Sequence, residues 1–423
     1  MNPGRHEEEE AGNQGHRGAE APALQAASLS IARMFEPYGI GFTLIVFATI
    51  RLVALAGAFT SPMDNPKLFW WSHVPTVRWD VGHYLHILEH GYPESLSDVT
   101  AFFPAFSLLA WPLTLILDPH WSLVVAAMLC SIAAAGFFYA WARRCGADAA
   151  AAFWAVMLLA TFPPAMFFST GYTEGLFILC VAAMLWLISH QRWLLAALVC
   201  GLSTATRPTG VAVAAALLIA AWGAGAVEKW SVTRRLARVA LLGALSVSGI
   251  GLHELYLWQH YGRYDAYFTV QANWAFRPTS NPVRKALTLR PLIQGTLEPV
   301  KCGLQLGGRT WSDLLIPGRW NMPLNTLVVA LAVVGLLRPG TIPRFAFLLP
   351  IFVFLMAYLD DPVQGSRLIG IARYQLVALA VFLWLAQWFQ LRRTTPAMVG
   401  LCLLALAMQL NYIRRFANWE MVG

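Results

Sequence analysis

Charge is scarce in this sequence. Of 423 residues only 12% are Asp, Glu, Lys or Arg, against 58% hydrophobic residues, and the mean hydropathy is +0.55. Soluble globular domains carry about 25% charged residues, so this composition excludes that class and reads as a polytopic membrane chain. Lysine is scarcer still, with 4 residues against 26 arginines; together with abundant alanine, this hints at a GC-rich prokaryotic genome. There are six cysteines and no CxxC or zinc-type spacing among them. Cys130, Cys180, Cys200 and Cys402 fall within apolar runs, as buried thiols do. A net charge of +8 raises the question of nucleic acid, but no basic patch with interleaved aromatics exists. The arginines sit at the ends of apolar runs, the distribution a bilayer imposes, and nucleic acid is excluded as a partner. A soluble sugar-nucleotide domain is also lacking.

What the sequence does have is apolar runs of roughly 17 to 25 residues, each long enough to cross a hydrocarbon layer of about 30 Å as a helix. They are too long and too uniformly apolar for barrel strands, and lipid offers backbone amides no partners, so the expected class is all-α. Eleven spans are expected, over 37–60, 121–142, 150–168, 172–189, 192–203, 209–226, 236–257, 322–338, 344–359, 371–390 and 395–413. Residues 1–36 read as a disordered cytoplasmic tail, and 37–423 as one transmembrane domain. The first apolar run starts too late and runs too long for a signal peptide. With the N-terminus inside, every inside turn is basic: Arg143 and Arg144, Arg192, then Lys229, Arg234, Arg235 and Arg238, then Arg338 and Arg344, then Arg392 and Arg393. This parity requires 101–117 to lie along or dip into the outer leaflet, the alternative being a twelfth span. Two long polar segments, 61–120 and 258–321, then share the external face.

Three stretches carry candidate chemistry. RWDVGHYLHILEHGYP (78–93) reads as an amphipathic helix on the membrane surface, with Val81, Tyr84, Leu85 and Leu88 on one stripe. Asp80 sits in its first turn, either as a simple helix-stabilising acid or as a general base, with Glu174 a second acid on the same face. His83 and Glu89 are further polar candidates on that helix. His86 and His90 are four apart, yet HILEH is not HExxH and no third ligand is apparent, so no metal site is assigned. TATRPTG breaks a short pair of spans at Pro208 and Gly210, and Arg207 at such a break either lines a cavity or snorkels to the interface. YGRYDAYFTVQANWAF (261–276) interleaves aromatics with Gln271 and Asn273. It suits a sugar-binding surface, the alternative being an interfacial aromatic belt.

WDVGHYLHILEHGYP followed by AFFPAF, then FPPAMFFSTGYTEGLF, TATRPTG, YGRYDAYFTVQANWAFRP and ARYQLVALAVF resemble, in order, the motifs of the PIG-V mannosyltransferases. That family's eukaryotic members add the second mannose in GPI-anchor assembly, and it has prokaryotic relatives. The resemblance implies a GT-C fold, an acidic residue in the first external loop and a polyprenyl-phosphate-mannose donor. It makes Asp80 the catalytic base. His83 stands where relatives often place an aromatic, a departure that bears on acceptor preference. Forming an α-mannoside from a β-linked donor inverts the anomeric centre, for which one carboxylate suffices. The leaving phosphate gathers negative charge that suits arginine forks, and Arg207, Arg373, Arg277 and Arg367 are the candidates. Arg373 alternatively anchors a span, and Arg367 alternatively pairs with Asp360 or Asp361. Gln271, Trp274 and Tyr172 are the sugar-binding candidates, and Glu174, His83 and Glu89 the supporting acids or acceptor contacts. No cofactor is assigned, and a divalent cation is left open. The expected partners are polyprenyl-phosphate-mannose, a lipid or glycan acceptor and membrane lipids. The expected location is a prokaryotic plasma membrane with the site extracytoplasmic. The rival reading is a transporter or flippase of lipid-linked sugars, although no inverted repeat is visible.

Overall fold

The computed structural model describes residues 36–60, 74–274, 317–338, 340–360 and 371–419. Residues 1–35 of the expected tail, and the parts of the two external segments at 61–73 and 275–316, lie outside them. Among the described residues all regular structure is helical, as lipid requires of a chain that must satisfy its own backbone.

Helices occupy all eleven apolar runs, but they are unequal. Ile40–Phe59, Pro119–Arg144, Gly210–Val227, Trp320–Leu337 and Thr395–Ala417 are each long and apolar enough to cross a bilayer. Two bent pairs raise the count to seven if each is one crossing: Ala149–Thr161 with Pro163–Ser169, bent by 81°, and Val232–Ser246 with Ser248–Tyr261, bent by 50°. Glu174–Ser189, Trp193–Thr204, Arg344–Met356 and Leu379–Leu391 are shorter apolar helices. By length and composition the described residues thus hold five to seven such helices, beside the eleven spans expected. The 101–117 stretch forms two pieces, Ala105–Ala110 and Trp111–Leu115, spanning about 17 Å at helical rise, too short to cross. Leu108, Trp111, Leu115 and Ile116 point outward from it.

The 81° bend follows from Pro163 and Pro164. Proline donates no amide hydrogen bond and drives the residue before it out of helical geometry, and Phe162 accordingly has φ −50° and ψ 129°. The carbonyls freed there are met from two other helices. Arg51, fully buried in the middle of Ile40–Phe59, donates to Ala160 O and Ala165 O. Gln409 Nε2 donates to Ala160 O (3.1 Å) and Phe162 O (2.8 Å), and its Oε1 accepts from Arg51 at 3.0 Å. Neither residue stands out in the sequence as more than an isolated polar group in an apolar run.

The basic turns gather at one end. Arg144 bonds Ser189 O at 3.1 Å, Gly146 lies beside Thr341, and Tyr139 bonds Tyr38 O at 2.9 Å. Asp80–His90, Glu174 and the C-terminus of Thr395–Ala417 lie at the other. Replacing Arg51 with methionine leaves the Ala165 carbonyl without this donor, a cost of about 1–3 kcal/mol for one buried acceptor. A lowered melting temperature of the detergent-solubilised protein is expected, and an unchanged one would show that packing alone holds the bend.

Candidate functional site

Four charged side chains form a chain: Asp80, Arg373, Glu174, Arg207. Arg373 Nη1 donates to Asp80 Oδ2 at 2.9 Å, Arg373 Nε lies 3.6 Å from Glu174 Oε1, and Arg207 Nη1 donates to that same Oε1 at 2.8 Å. Access is greatest at one end of the series and least at Glu174: the Asp80 side chain is 27% exposed, Arg373 13%, Glu174 1% and Arg207 10%. Two carboxylates and two guanidiniums cancel formally, as charges removed from water must. Glu174 Oε2 and Arg373 Nε have no hydrogen-bond partner, so the network holds unused acceptor and donor capacity facing each other's surroundings.

Local sequence explains each position. Arg78 is fully buried and donates to Val74 O (2.6 Å), Val77 O (2.8 Å) and Ala417 O (2.9 Å) while packing over Trp419. It thereby pins the approach to the helix Asp80–His90 onto the end of Thr395–Ala417. Trp79 then adopts φ +54°, a region costly for a bulky residue, before the helix begins. Asp80 is the first helical residue, among unpaired amides that favour a carboxylate. Glu174 likewise opens its helix. Gly175 behind it allows close approach to Pro119–Arg144, since a Cβ there would lie 2.3 Å from Ala127 O. Arg207 occupies the turn between Trp193–Thr204 and Gly210–Val227 that Pro208 enforces. It faces inward to Glu174 instead of snorkelling.

Aromatic rings wall the charges. The Arg373 guanidinium lies 5.6, 5.5 and 5.3 Å from the rings of Phe167, Tyr172 and Tyr374, and that of Arg207 lies 5.0 Å from Tyr374 and 5.5 Å from Phe177. Tyr374 thus separates the two cations. Burial, with the Asp80 and Glu174 charges adding to it, raises the Tyr84 hydroxyl pKa, so this phenol stays protonated.

Asp80, Glu174, Arg207, Arg373 and Tyr172 are therefore brought together, while among the described residues Glu89 forms no ion pair with this series. His83 stacks on Phe102 at 4.3 Å, half-buried, one helical turn beyond Asp80. Burial lowers its pKa against the opposing field of Asp80, so it is largely neutral at pH 7. Glu89 sits beside His90 (3.7 Å), about 13 Å along the helix axis from Asp80, so the expectation that it supports the site is corrected. The Val81, Tyr84 and Leu85 stripe is buried against Phe102, Phe106 and Leu123, so this face of the helix meets protein, a correction to the expected surface helix. Gln271 is half-buried on Ala266–Trp274, whose Val270 joins that same cluster. The Trp274 side chain, Arg277 and Arg367 lie outside the described residues. Sequence reasoning missed Tyr374 and Tyr84 as site walls; position 374 beside Arg373 was the available signal. Among the described residues no group of three or more His, Cys, Asp or Glu could hold a metal ion.

Glu174→Gln leaves Arg207 without its carboxylate and Arg373 with Asp80 alone, which at about 3–5 kcal/mol for a broken buried pair lowers thermal stability sharply. Combining it with Arg207→Gln restores part of the loss, and a double-mutant cycle on melting temperatures measures the coupling. Additive losses would show that the 2.8 Å pair carries no interaction energy.

Residues 102–250 match the family model described as dolichyl-phosphate-mannose-protein mannosyltransferase. That stretch is a little over a third of the chain and includes Glu174 and Arg207 but not Asp80 or Arg373. No curated protein matches the chain. Among solved structures, the chain is similar to the Archaeoglobus fulgidus oligosaccharyltransferase, at 14% identity and a TM-score of 0.41, covering 90% of this chain and 53% of that one. The chain thus spans about half the length of that enzyme. It is an all-helical, multi-pass membrane protein whose central third is similar to a glycosyltransferase family.

Proposed function

We propose that this chain is a GT-C glycosyltransferase of PIG-V type that transfers mannose, with inversion, from polyprenyl-phosphate-mannose to a hydroxyl of a lipid-linked or glycan acceptor. The site would face the extracytoplasmic side of a prokaryotic plasma membrane. The observation that carries the reading is the Asp80–Arg373 contact at 2.9 Å, with Asp80 the most open of the four charges. A base and a phosphate-seeking cation stand within one hydrogen bond, as a single displacement needs.

In this reading the acceptor hydroxyl loses its proton to Asp80 as its oxygen attacks the anomeric carbon. The bond from that carbon to the phosphate oxygen breaks, and its electron pair leaves with the lipid phosphate. Arg373 links the two events. Its guanidinium donates to Asp80, and a donor phosphate competing for the same fork would release that carboxylate toward the acceptor hydroxyl. Glu174 and Arg207 set the position of Arg373 from behind, Glu174 at 3.6 Å, and the rings of Tyr172 and Tyr374 limit where it can swing. The match of residues 102–250 to a mannosyltransferase family supports the reaction class. The sugar, its lipid carrier and the stereochemistry rest on the motif resemblance.

Purified protein in liposomes, given labelled polyprenyl-phosphate-mannose and a panel of membrane lipids, should form a mannosylated product without net translocation of donor. Flipping without product would favour a transporter. Asp80→Asn should lower transfer by about 10²–10⁴-fold, the usual contribution of a positioned base, with an unchanged melting temperature. Wild-type turnover in that variant would remove Asp80 from the chemistry. Arg373→Lys should chiefly raise KM for the donor, because an ammonium cannot replace a fork.

A further inference from the structure

At the basic end of the bundle, away from the carboxylate site, an open cavity of about 720 Å³ is lined by Arg192, Trp193, Trp230, Arg234, Arg238 and Leu241, among others. We infer that this groove binds one anionic phospholipid, its phosphate on the arginines and an acyl chain along the leucines.

The groove is separate from the site. Trp193 opens the helix that ends at Thr204, three residues before Arg207, and Arg192 follows the helix that starts at Glu174. The sixteen residues of Glu174–Ser189 rise about 24 Å, so groove and site lie at opposite ends of shared helices. The arginine distribution along the chain assigns the groove end to the cytoplasm.

Its chemistry is two-fold. Arg234 lies 3.9 Å from the Trp230 ring, and Arg238 lies 4.8 Å from Trp230 and 4.4 Å from Trp193. Two cations at i and i+4 thus share one indole, a repulsive arrangement in an isolated helix that an anion between them relieves. Among the described residues no carboxylate forms an ion pair with Arg192, Arg234 or Arg238. Glu228 acts on Arg238 only through its field. Arg238 Nη1 is buried with no hydrogen-bond partner, a donor built into the groove and left unused by the protein. Below the cations the lining is almost wholly apolar, with Leu194 and Leu241 each 54% exposed. Cation above, indole at the boundary and leucine below is the profile of a lipid lying at the interface. A soluble anion would have no use for the apolar floor.

The test is native mass spectrometry of the full-length protein in detergent, titrated with phosphatidylglycerol, phosphatidylcholine or inorganic phosphate. One phosphatidylglycerol retained in preference to phosphatidylcholine, with affinity falling as salt rises, is expected. Arg234→Gln with Arg238→Gln should weaken it by roughly 25-fold, the product of about five-fold for each cation lost near a membrane surface. Arg192→Gln is the milder companion, at about five-fold, should the double variant prove polydisperse. Equal retention of the two lipids, competition by inorganic phosphate alone, or unchanged binding in a monodisperse Arg192→Gln variant would each overturn the assignment. Mannosyl transfer is not the readout, so the inference stands or falls apart from the proposed reaction.

Discussion

A carboxylate almost completely buried in an apolar helical bundle is costly unless the protein replaces the hydrogen-bonding partners that water supplied. Glu174 is that carboxylate, and the surrounding helices bring it those partners. One guanidinium reaches it from the turn after Trp193–Thr204, and a second reaches it from Ile371–Tyr374 while also holding Asp80. Three distant segments of the chain are thereby tied to one oxygen atom. The Arg207 tie is a hydrogen bond, and the Arg373 contact at 3.6 Å is a charge contact that holds that guanidinium beside Asp80.

That arrangement rests on a second buried network. The 81° bend at Phe162 folds the chain back so that Thr173 and Glu174 enter their helix beside Asp80. A bend of this kind strands carbonyl groups where no water can reach them. Arg51 and Gln409 receive them, and Ser169 returns a hydrogen bond to Arg51 O at 3.0 Å. Gly175 then lets the following helix approach Pro119–Arg144 at backbone distance. Two arginines deep in the bundle thus do opposite work. Arg51 is fully buried and spends both terminal nitrogens on carbonyl groups and Gln409, so it is architectural, whereas Arg373 reaches the partly open Asp80, where a ligand can compete for it.

The two ends of the molecule are specialised in different ways. At one end charges are paired in series and walled by aromatic rings; at the other, arginines stand over indoles with no acidic partner among the described residues. The first arrangement is neutral overall and selects by geometry. The second gathers positive charge beside an apolar floor, a combination that acts by field and apolar contact.

By itself the sequence determined the helical class, the positions of the apolar runs, the break at TATRPTG and the concentration of arginine at one set of turns, because hydropathy and proline act locally. It also supplied Asp80, Glu174, Arg207 and Arg373 as separate candidates. Tertiary structure alone decided that these four form one series. Their contacts span 33 residues between Arg207 and Glu174 and 293 between Arg373 and Asp80, and local pattern carries no information across such distances. It also decided that the Val81 stripe faces protein, that Glu89 is turned away from the site, and that several apolar runs are too short or too bent to be simple crossings. An amphipathic stripe looks the same whether lipid or protein covers it, and an isolated arginine in an apolar run looks the same whether it binds a ligand or, like Arg51, caps a broken helix. Only the partners distinguish them, and the partners come from elsewhere in the chain.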